Sequence, residues 1–134
     1  MKRLLLALLM VLGVATAANA QVAKYRATDL AIKTQKSNGY WTEWSDWQKT
    51  SVLIVMNLNN STIQIYSQQT QEFDIIDIVQ DWHYDDQGGE QFEVACVDVD
   101  GLRCHMRFRK QRDGQLQLYV DYSDLMYVYN IEER

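Results

Sequence analysis

The sequence predicts an all-β fold in which eight or nine antiparallel strands form an up-and-down meander and close into a barrel. The five glycines after residue 20 all lie in polar stretches between apolar runs, and the chain has no proline. Glycine-containing polar turns between apolar runs are typical of an antiparallel meander. So many strands in one small domain must cover their edges, which a closed barrel does fully and a sandwich of two sheets does partly. The two-sheet β-sandwich is therefore the alternative.

Two x-Asp-Gly turns, at residues 99–101 and 112–114, divide residues 91–122 into three strands. A three-residue hairpin loop commonly ends in a left-handed residue, and glycine adopts that conformation without steric cost. The register that follows pairs apolar residues with one another: Phe92–Phe108, Val94–Met106, Cys96–Cys104, Phe108–Leu118 and Met106–Val120. A two-residue loop would shift each register by one and mix the two faces of the sheet.

The chain begins with a stretch that predicts an export signal. Lys2 and Arg3 precede an apolar run at residues 4–14, which is too short to span a membrane. Ala18-Asn19-Ala20 has the small-x-small pattern of a cleavage site. We therefore expect a mature protein of one domain, residues 21–134, that is periplasmic or secreted.

The charge of this mature part restricts its partners. Residues 1–20 hold two of the 13 basic residues and none of the 18 acidic ones, so the mature chain has 11 basic residues and a net charge of −7. Such an acidic balance argues against nucleic acid as a general partner. No later stretch is apolar enough to be a transmembrane segment.

The remaining strands follow from apolar runs between turns. They are predicted at residues 25–35, 40–47, 52–58, 62–67, 72–83 and 127–131, in addition to the three strands above. The unbroken run VLIVM in the third strand predicts burial on both faces. A two-residue turn at Asn59-Asn60 pairs Met56 with Ile63 and Ile54 with Ile65. We expect these four residues to be buried in the same layer as the apolar face of residues 91–122 or in a layer that faces it.

Two further connections complete the meander. The long fifth strand is aligned by placing Trp82 opposite Phe92, which brings Ile78 opposite Cys96. Residues 84–90 then form an acidic, glycine-rich loop, and residues 123–126 form a tight turn or a single helical turn.

Cys96 and Cys104 face each other in the predicted register, on the apolar side of the sheet. In an exported chain they are candidates for a disulfide. A buried pair of free thiols is the alternative, because hydrogen-bonded cross-strand positions suit a disulfide less well.

The segments WTEWSDW, VLIV, IQIYS, FDII, CVDVDGLRC and GQLQLYVDYSD extend over most of the mature chain. Together they resemble a group of small exported proteins of Bacteroidetes-type gut bacteria, similar in outline to the lipocalin-like (calycin) folds. The resemblance implies an exported location and an all-β fold, and it implies no catalytic residues.

Trp41, Trp44 and Trp47 form a WxxWxxW motif in the second predicted strand. In a strand, Trp41 and Trp47 would share one face and Trp44 would lie on the other. One interpretation is two core aromatics with one aromatic at the rim. The other is an exposed stacking platform for a sugar or a protein partner.

Arg103, Arg107 and Arg109 are predicted on the outer face of the three strands, with Glu93 opposite Arg107. His105 lies on the same face opposite Asp121. This row of arginines is either a solvated strand face, partly neutralised by the two acids, or a site for an anion or an acidic glycan.

The sequence offers little for catalysis or for metal binding. His105 with Asp121 is half of a catalytic pair, but no serine or cysteine nucleophile lies on the same face. The acidic turns near Asp98 and Asp85 lack the ligand spacing of a calcium loop. We therefore expect no enzyme, no metal site and no cofactor.

Two functions remain. The first is a non-catalytic binding protein that holds a small apolar or amphipathic ligand in a barrel. The second is a surface module that binds protein or glycan through exposed tryptophans or the row of arginines. The partner is accordingly a small ligand, a glycan or an envelope protein, and a lined cavity or an exposed aromatic patch distinguishes the two.

Overall fold

The computed structural model describes residues 22–134, which form eight β-strands. The strands are β1 (Val22–Thr34), β2 (Gln48–Asn57), β3 (Thr62–Tyr66), β4 (Thr70–Tyr84), β5 (Glu90–Asp98), β6 (Arg103–Lys110), β7 (Leu116–Asp121) and β8 (Leu125–Glu133). Each strand pairs with the next in chain order, all antiparallel, and β1 pairs with β8 to close a barrel. The predicted meander barrel is confirmed.

The export signal predicted at residues 1–20 lies outside the described residues. In the part of the chain that the structure describes, no helix has the length and apolarity needed to cross a membrane.

The predicted register of β5, β6 and β7 is confirmed. Phe92, Val94 and Cys96 pair with Phe108, Met106 and Cys104, and the pairs Phe108–Leu118 and Met106–Val120 follow on β7. Gly101 and Gly114, at the third position of the two loops, have φ angles of 82° and 91°. These glycines take the left-handed conformation from which the register was derived.

Side chains that point inward along all eight strands fill the barrel. The largest fully buried ones include Phe73, Phe92, Ile54, Ile63, Ile65, Met106 and Leu118. The apolar residues that the two predicted hairpin registers and the Asn59-Asn60 turn paired on the inner face are all buried in this one cluster. The centre of the barrel is thus packed, and open space is confined to its two ends.

The predicted second strand at residues 40–47 is wrong. This segment belongs to the irregular connection between β1 and β2, with only an isolated bridge between Gln35 and Trp41. Its hydrogen bonds use side chains as well as backbone: Ser45 Oγ accepts from the Ile32 N–H at 2.9 Å and Thr42 Oγ1 accepts from the Thr34 N–H at 3.0 Å. Hydroxyls that bind backbone groups in this way compete with a regular strand ladder.

The apolar run in β2 is buried on one face, not on both as predicted. Ile54 and Met56 point inward and are buried, whereas Leu53 and Val55 are half-buried on the outside. The pairs Met56–Ile63 and Ile54–Ile65 are confirmed. The residue of the turn with a positive φ, 55°, is Ser61 rather than an asparagine.

The predicted register of β4 against β5 is also wrong. Ile75 lies opposite Cys96 and Ile78 lies opposite Val94, with irregularities at three places in the second half of β4. Two residues three positions apart fall on opposite faces of a regular strand, so a bulge is needed to turn both isoleucines inward. Gln80, which the predicted register faces inward, is exposed.

A bulge between Ala27 and Asp29 has the same effect in β1, because it turns Leu30 and Ile32 towards the inside. β8 begins at Leu125, earlier than predicted, and residues 122–124 form the preceding turn. Because the strands run alternately up and down, the connections between them lie at two ends of the barrel. One end carries the connections 35–47, 67–69, 99–102 and 122–124, and the other end carries 58–61, 85–89 and 111–115.

Candidate functional site

A cavity of about 460 Å³ opens at the end of the barrel that carries residues 99–102 and 122–124. Its apolar and aromatic lining consists of Leu30, Ile32, Leu102, Leu125, Tyr122, Tyr127 and Tyr129. Its polar lining consists of Gln71, Asp98 and Asp124. We call this cavity the tyrosine mouth. Its size lies within the range of about 300–1,000 Å³ that is usual for small-molecule sites.

Two of the tyrosine hydroxyls donate to acceptors of the same lining. The Tyr127 hydroxyl donates to Gln71 Oε1 at 2.7 Å, and the Tyr122 hydroxyl donates to Asp98 Oδ2 at 2.8 Å. The rings of Tyr127 and Tyr129 meet edge to face, with centroids 5.7 Å apart. Burial raises the pKa of Tyr122, Tyr127 and Tyr129, so these phenols are neutral at physiological pH.

The two carboxylates of the tyrosine mouth differ in their surroundings. Burial by itself would raise the pKa of Asp98, but hydrogen bonds outweigh it and lower the pKa. The donors are the backbone N–H groups of Leu102 and Asp100, each at 2.9 Å, and the Tyr122 hydroxyl. Asp124 is exposed at the rim, so its carboxylate faces the solvent at the entrance.

The two cysteines lie just below the tyrosine mouth. Cys96 and Cys104 are cross-strand partners, both buried on the inner face, as predicted. They are free thiols, so the disulfide candidate is not formed in the structure. Two residues further on, the Asp98 N–H donates to the Leu102 carbonyl oxygen at 2.9 Å. The cysteines therefore occupy a hydrogen-bonded pair of positions, which suits a disulfide less well.

A second cavity, of about 550 Å³, opens at the opposite end of the barrel. Its lining includes Tyr25, Trp82, Leu116, Glu90, Lys110 and Glu133. We call this cavity the Trp82 mouth. The packed core separates it from the tyrosine mouth.

Two aromatic rings, those of Tyr25 and Trp82, line the Trp82 mouth, and the buried rings of Phe92 and Phe108 lie behind them. Trp82 stacks on Phe92 with centroids 5.6 Å apart and planes at 27°. Phe92 lies 6.3 Å from Phe108, and Phe108 lies 5.8 Å from Tyr25. These separations are typical of favourable aromatic pairs.

The predicted tryptophan motif lies on the outside of the barrel, and none of its three rings, all in the described part of the chain, belongs to the interior cluster. Trp44 and Trp47 line a groove of about 210 Å³ together with Ala31, Ser45, Tyr119 and Val128. We call this groove the Trp44 patch. Its aromatic rings bury Ala31 and Val128 on the outer face of β1 and β8, so the interpretation as core aromatics is wrong.

The Trp44 ring already contacts other side chains of the same chain. Lys33 Nζ lies 5.0 Å from the Trp44 ring centroid, and Trp44 meets Tyr119 edge to face at 6.3 Å. Trp47 is the more exposed of the two tryptophans, at 49% against 37%. Trp41 is half-buried and does not line the patch.

The arginines predicted on the outer face do lie there, alternating with buried residues of β6. Arg103 is exposed. Arg109 Nε donates to Asp85 Oδ2 at 3.0 Å and so holds the loop at residues 85–89. Arg107 binds Asp121 and covers the Tyr119 ring, with its guanidinium carbon 4.3 Å from the centroid. Arg107 therefore connects the row of arginines to the Trp44 patch, because it contacts Tyr119, which lines the patch.

Comparison with protein-family models, with curated proteins and with solved structures gives no match for this chain. The choice among the three surfaces rests on their geometry and chemistry. Among residues 22–134, no group of three or more His, Cys, Asp or Glu side chains is arranged to hold a metal ion.

Sequence reasoning missed the lining of the tyrosine mouth. Tyr127 and Tyr129 alternate with outward-facing residues of β8 in the same phase as the buried Ile131. Tyr122, the residue directly after β7, follows Val120 in the same way. Extending the inward-facing positions to the ends of the strands would have found these three tyrosines, because in a small barrel those positions surround the mouth.

Proposed function

We propose that this chain is an exported, non-catalytic binding protein that holds a small amphipathic ligand in the tyrosine mouth. The observation that carries this proposal is the cavity of about 460 Å³, with its apolar and tyrosine walls and few polar groups. Concave, mainly apolar sites of this kind are the usual form of small-molecule sites. Export, and membership of the group of exported proteins that the sequence resembles, stay predictions.

The surroundings of the reactive groups support a non-catalytic role. Burial raises the pKa of Cys104 to about 12, so the group is a thiol rather than a nucleophilic thiolate at physiological pH. His105 lies on the outer face of β6, where its Nδ1 is 2.6 Å from Glu93 Oε2. Neither side chain lines the tyrosine mouth.

The charges of the lining favour a ligand with a cationic head. Asp98 and Asp124 are the charged residues that line the tyrosine mouth, and both are acidic. An anionic head would meet these carboxylates, whereas an amine would be attracted to Asp124 at the entrance. An apolar chain would then contact Leu30, Ile32 and Leu125 inside.

The test uses residues 21–134 and the neutral fluorescent probe N-phenyl-1-naphthylamine. We expect a saturable rise in fluorescence as the probe enters the apolar cavity. Octylamine should displace the probe, and octanoate, which has the same chain length, should displace it about tenfold less well, as one charge–charge contact of about 1.4 kcal/mol predicts. Asp124→Asn should reduce this preference, whereas Asp100→Asn, an exposed residue of the same end, should retain it in full.

A matched pair of apolar residues locates the site. Leu102 and Val99 are both exposed in the turn between β5 and β6, but only Leu102 lines the cavity. Leu102→Asp should weaken probe binding about tenfold, because one apolar contact of this size is lost. Val99→Asp should leave binding within about twofold of the parent, because solvated surface substitutions have small effects. Equal effects of the two substitutions, or no saturable binding, would contradict the proposal.

The surface module is the second candidate function. The observation that favours it is the exposure of Tyr40 and Trp47, at 73% and 49%, on the same irregular segment. Against it, Lys33 already lies against Trp44, and Arg107 is already paired with Asp121. A glycan or peptide whose binding is lost in Trp47→Ala and retained in Leu102→Asp would favour this candidate.

A further inference from the structure

The rim of the Trp82 mouth carries charged residues at inward-facing positions. Glu90, Lys110 and Glu133 continue the alternation that buries Phe92 on β5, Phe108 on β6 and Ile131 on β8. Within residues 22–134, none of the three forms an ion pair with another residue. Charged groups that point over the mouth of a barrel are free to bind solvent or a ligand.

These charges lie one layer above the buried aromatic rings on which Trp82 and Tyr25 pack. Glu90 and Lys110 are cross-strand partners, and two residues deeper on the same face Phe92 and Phe108 are partners. Glu133 lies opposite Tyr25 on β1. Burial and, second, the charge of Glu133 raise the pKa of Tyr25 to about 12, in agreement with a carboxylate near this phenol.

The mouth thus combines three features that one small molecule can match. The rings of Trp82 and Tyr25, which line the mouth, suit a flat apolar group. The carboxylates of Glu90 and Glu133 suit an ammonium, and the ammonium of Lys110 suits a carboxylate. The volume of about 550 Å³ is sufficient for a ligand with all three groups.

We propose that the Trp82 mouth is a second binding site, which takes a free aromatic α-amino acid. The ligand ring lies against Trp82 and Tyr25, the ammonium faces Glu90 and Glu133, and the carboxylate faces Lys110. This site is independent of the tyrosine mouth, whose charged lining is acidic only.

The experiment compares three probes that share a phenyl ring on a two-carbon chain. L-Phenylalanine carries both charges, phenethylamine carries only the ammonium, and 3-phenylpropionate carries only the carboxylate. Binding is followed through the indole N–H resonances of the four tryptophans in ¹⁵N-labelled protein, with the Trp82 resonance assigned from Trp82→Phe. We expect L-phenylalanine to shift the Trp82 resonance and to bind about tenfold more tightly than either single-charge probe, as the loss of one charge-assisted contact predicts.

Two substitutions and one control test the assigned contacts. Lys110→Met should reduce the affinity for L-phenylalanine and leave that for phenethylamine unchanged. Glu133→Gln should reduce the affinity for both of these probes. Glu132→Gln changes the neighbouring exposed carboxylate, which does not line the cavity, and should have no effect.

Three results would overturn this proposal. They are the absence of a shift at Trp82, equal binding of the three probes, and tighter binding of phenethylamine than of L-phenylalanine. The first would remove the site, the second would remove the assigned charge contacts, and the third would replace the zwitterionic ligand with a cationic one. None of the three bears on N-phenyl-1-naphthylamine in the tyrosine mouth, so the two sites are tested separately.

Discussion

Arg107 forms its ion pair with Asp121, not with Glu93, its direct cross-strand neighbour. Arg107 Nε lies 2.6 Å from Asp121 Oδ2, and Nη2 lies 3.2 Å from Oδ1. Glu93 instead lies 2.6 Å from Nδ1 of His105. Both pairs are diagonal across the ladder, so the outer face of β5, β6 and β7 is joined by contacts that direct pairing did not predict.

Phe108→Ala should destabilise the protein far more than Arg107→Ala does. Phe108 is buried and contacts two other rings, so we expect a loss of about 3–5 kcal/mol in the free energy of unfolding. Arg107 is partly solvated and should contribute about 1 kcal/mol through its ion pair and its contact with Tyr119. Urea denaturation of both variants measures the difference. Equal losses would mean that the inner and outer faces are assigned the wrong way round.

Both cysteines should be present as unreactive thiols in the folded protein. They are buried free thiols, and burial raises the pKa of each. A thiol reagent such as DTNB should therefore react slowly with the native protein and fully with the protein in urea, even after purification without reductant. A denatured protein without reactive thiols would show instead that the pair had been oxidised.

The free energy of unfolding should fall at alkaline pH. Burial raises the pKa of Tyr25 from 10.0 to about 12 and that of Cys104 from 9.0 to about 12. The folded state keeps these protons longer than the unfolded state, so their contribution is complete below the unfolded pKa and is lost as the pH rises through the folded one. Each group can lower the free energy of unfolding by up to about 1.4 kcal/mol per pH unit in that window.

Urea denaturation at a series of pH values between about 8 and about 11 measures this alkaline loss. Tyr25→Phe is the matched variant, since it keeps the ring on Phe108 and removes one ionisable group. Its free energy of unfolding should fall less steeply above pH 10.0, the ordinary pKa of tyrosine. An identical slope in both proteins would contradict the burial of the Tyr25 hydroxyl.

Trp44→Ala should destabilise the barrel although the residue lies outside the interior core. Its ring belongs to the patch that covers Ala31 and Val128, so its removal exposes apolar surface on β1 and β8. We expect a loss of about 2 kcal/mol, because the large ring covers apolar surface although it is itself 37% exposed. Tyr40→Ala, at a largely exposed position of the same segment, is the control and should change stability by less than about 0.5 kcal/mol.

The sequence was sufficient to predict the parts of the fold that depend on local geometry. Gly101 and Gly114 determine the loops on either side of β6, and strict alternation then aligns three strands. The same alternation failed in β4, because bulges change which residues point inward. The spacing of three between Ile75 and Ile78 was nevertheless a readable sign of a bulge, since both residues are apolar.

The candidate sites were harder to predict than the strands. The tryptophan motif predicted a strand with core or exposed aromatics. Instead, Ser45 and Thr42 hold its segment against β1 in an irregular conformation that strand propensity does not predict. The predicted register paired Trp82 with Phe92 but assigned it to no site, although its position near the end of β4 places it in the Trp82 mouth. Inward-facing residues beyond the packed core therefore gave better evidence of a site than conspicuous motifs did.

The ladder that closes the barrel pairs β1 with β8, the first and the last strands of the described residues. A ladder between such distant partners cannot form until the C-terminal strand has been synthesised, so the native topology has a high contact order. Folding on the millisecond-to-second scale is usual for such topologies. A chain truncated before Leu125 would leave β1 and β7 with open edges, and two truncated chains could pair through them.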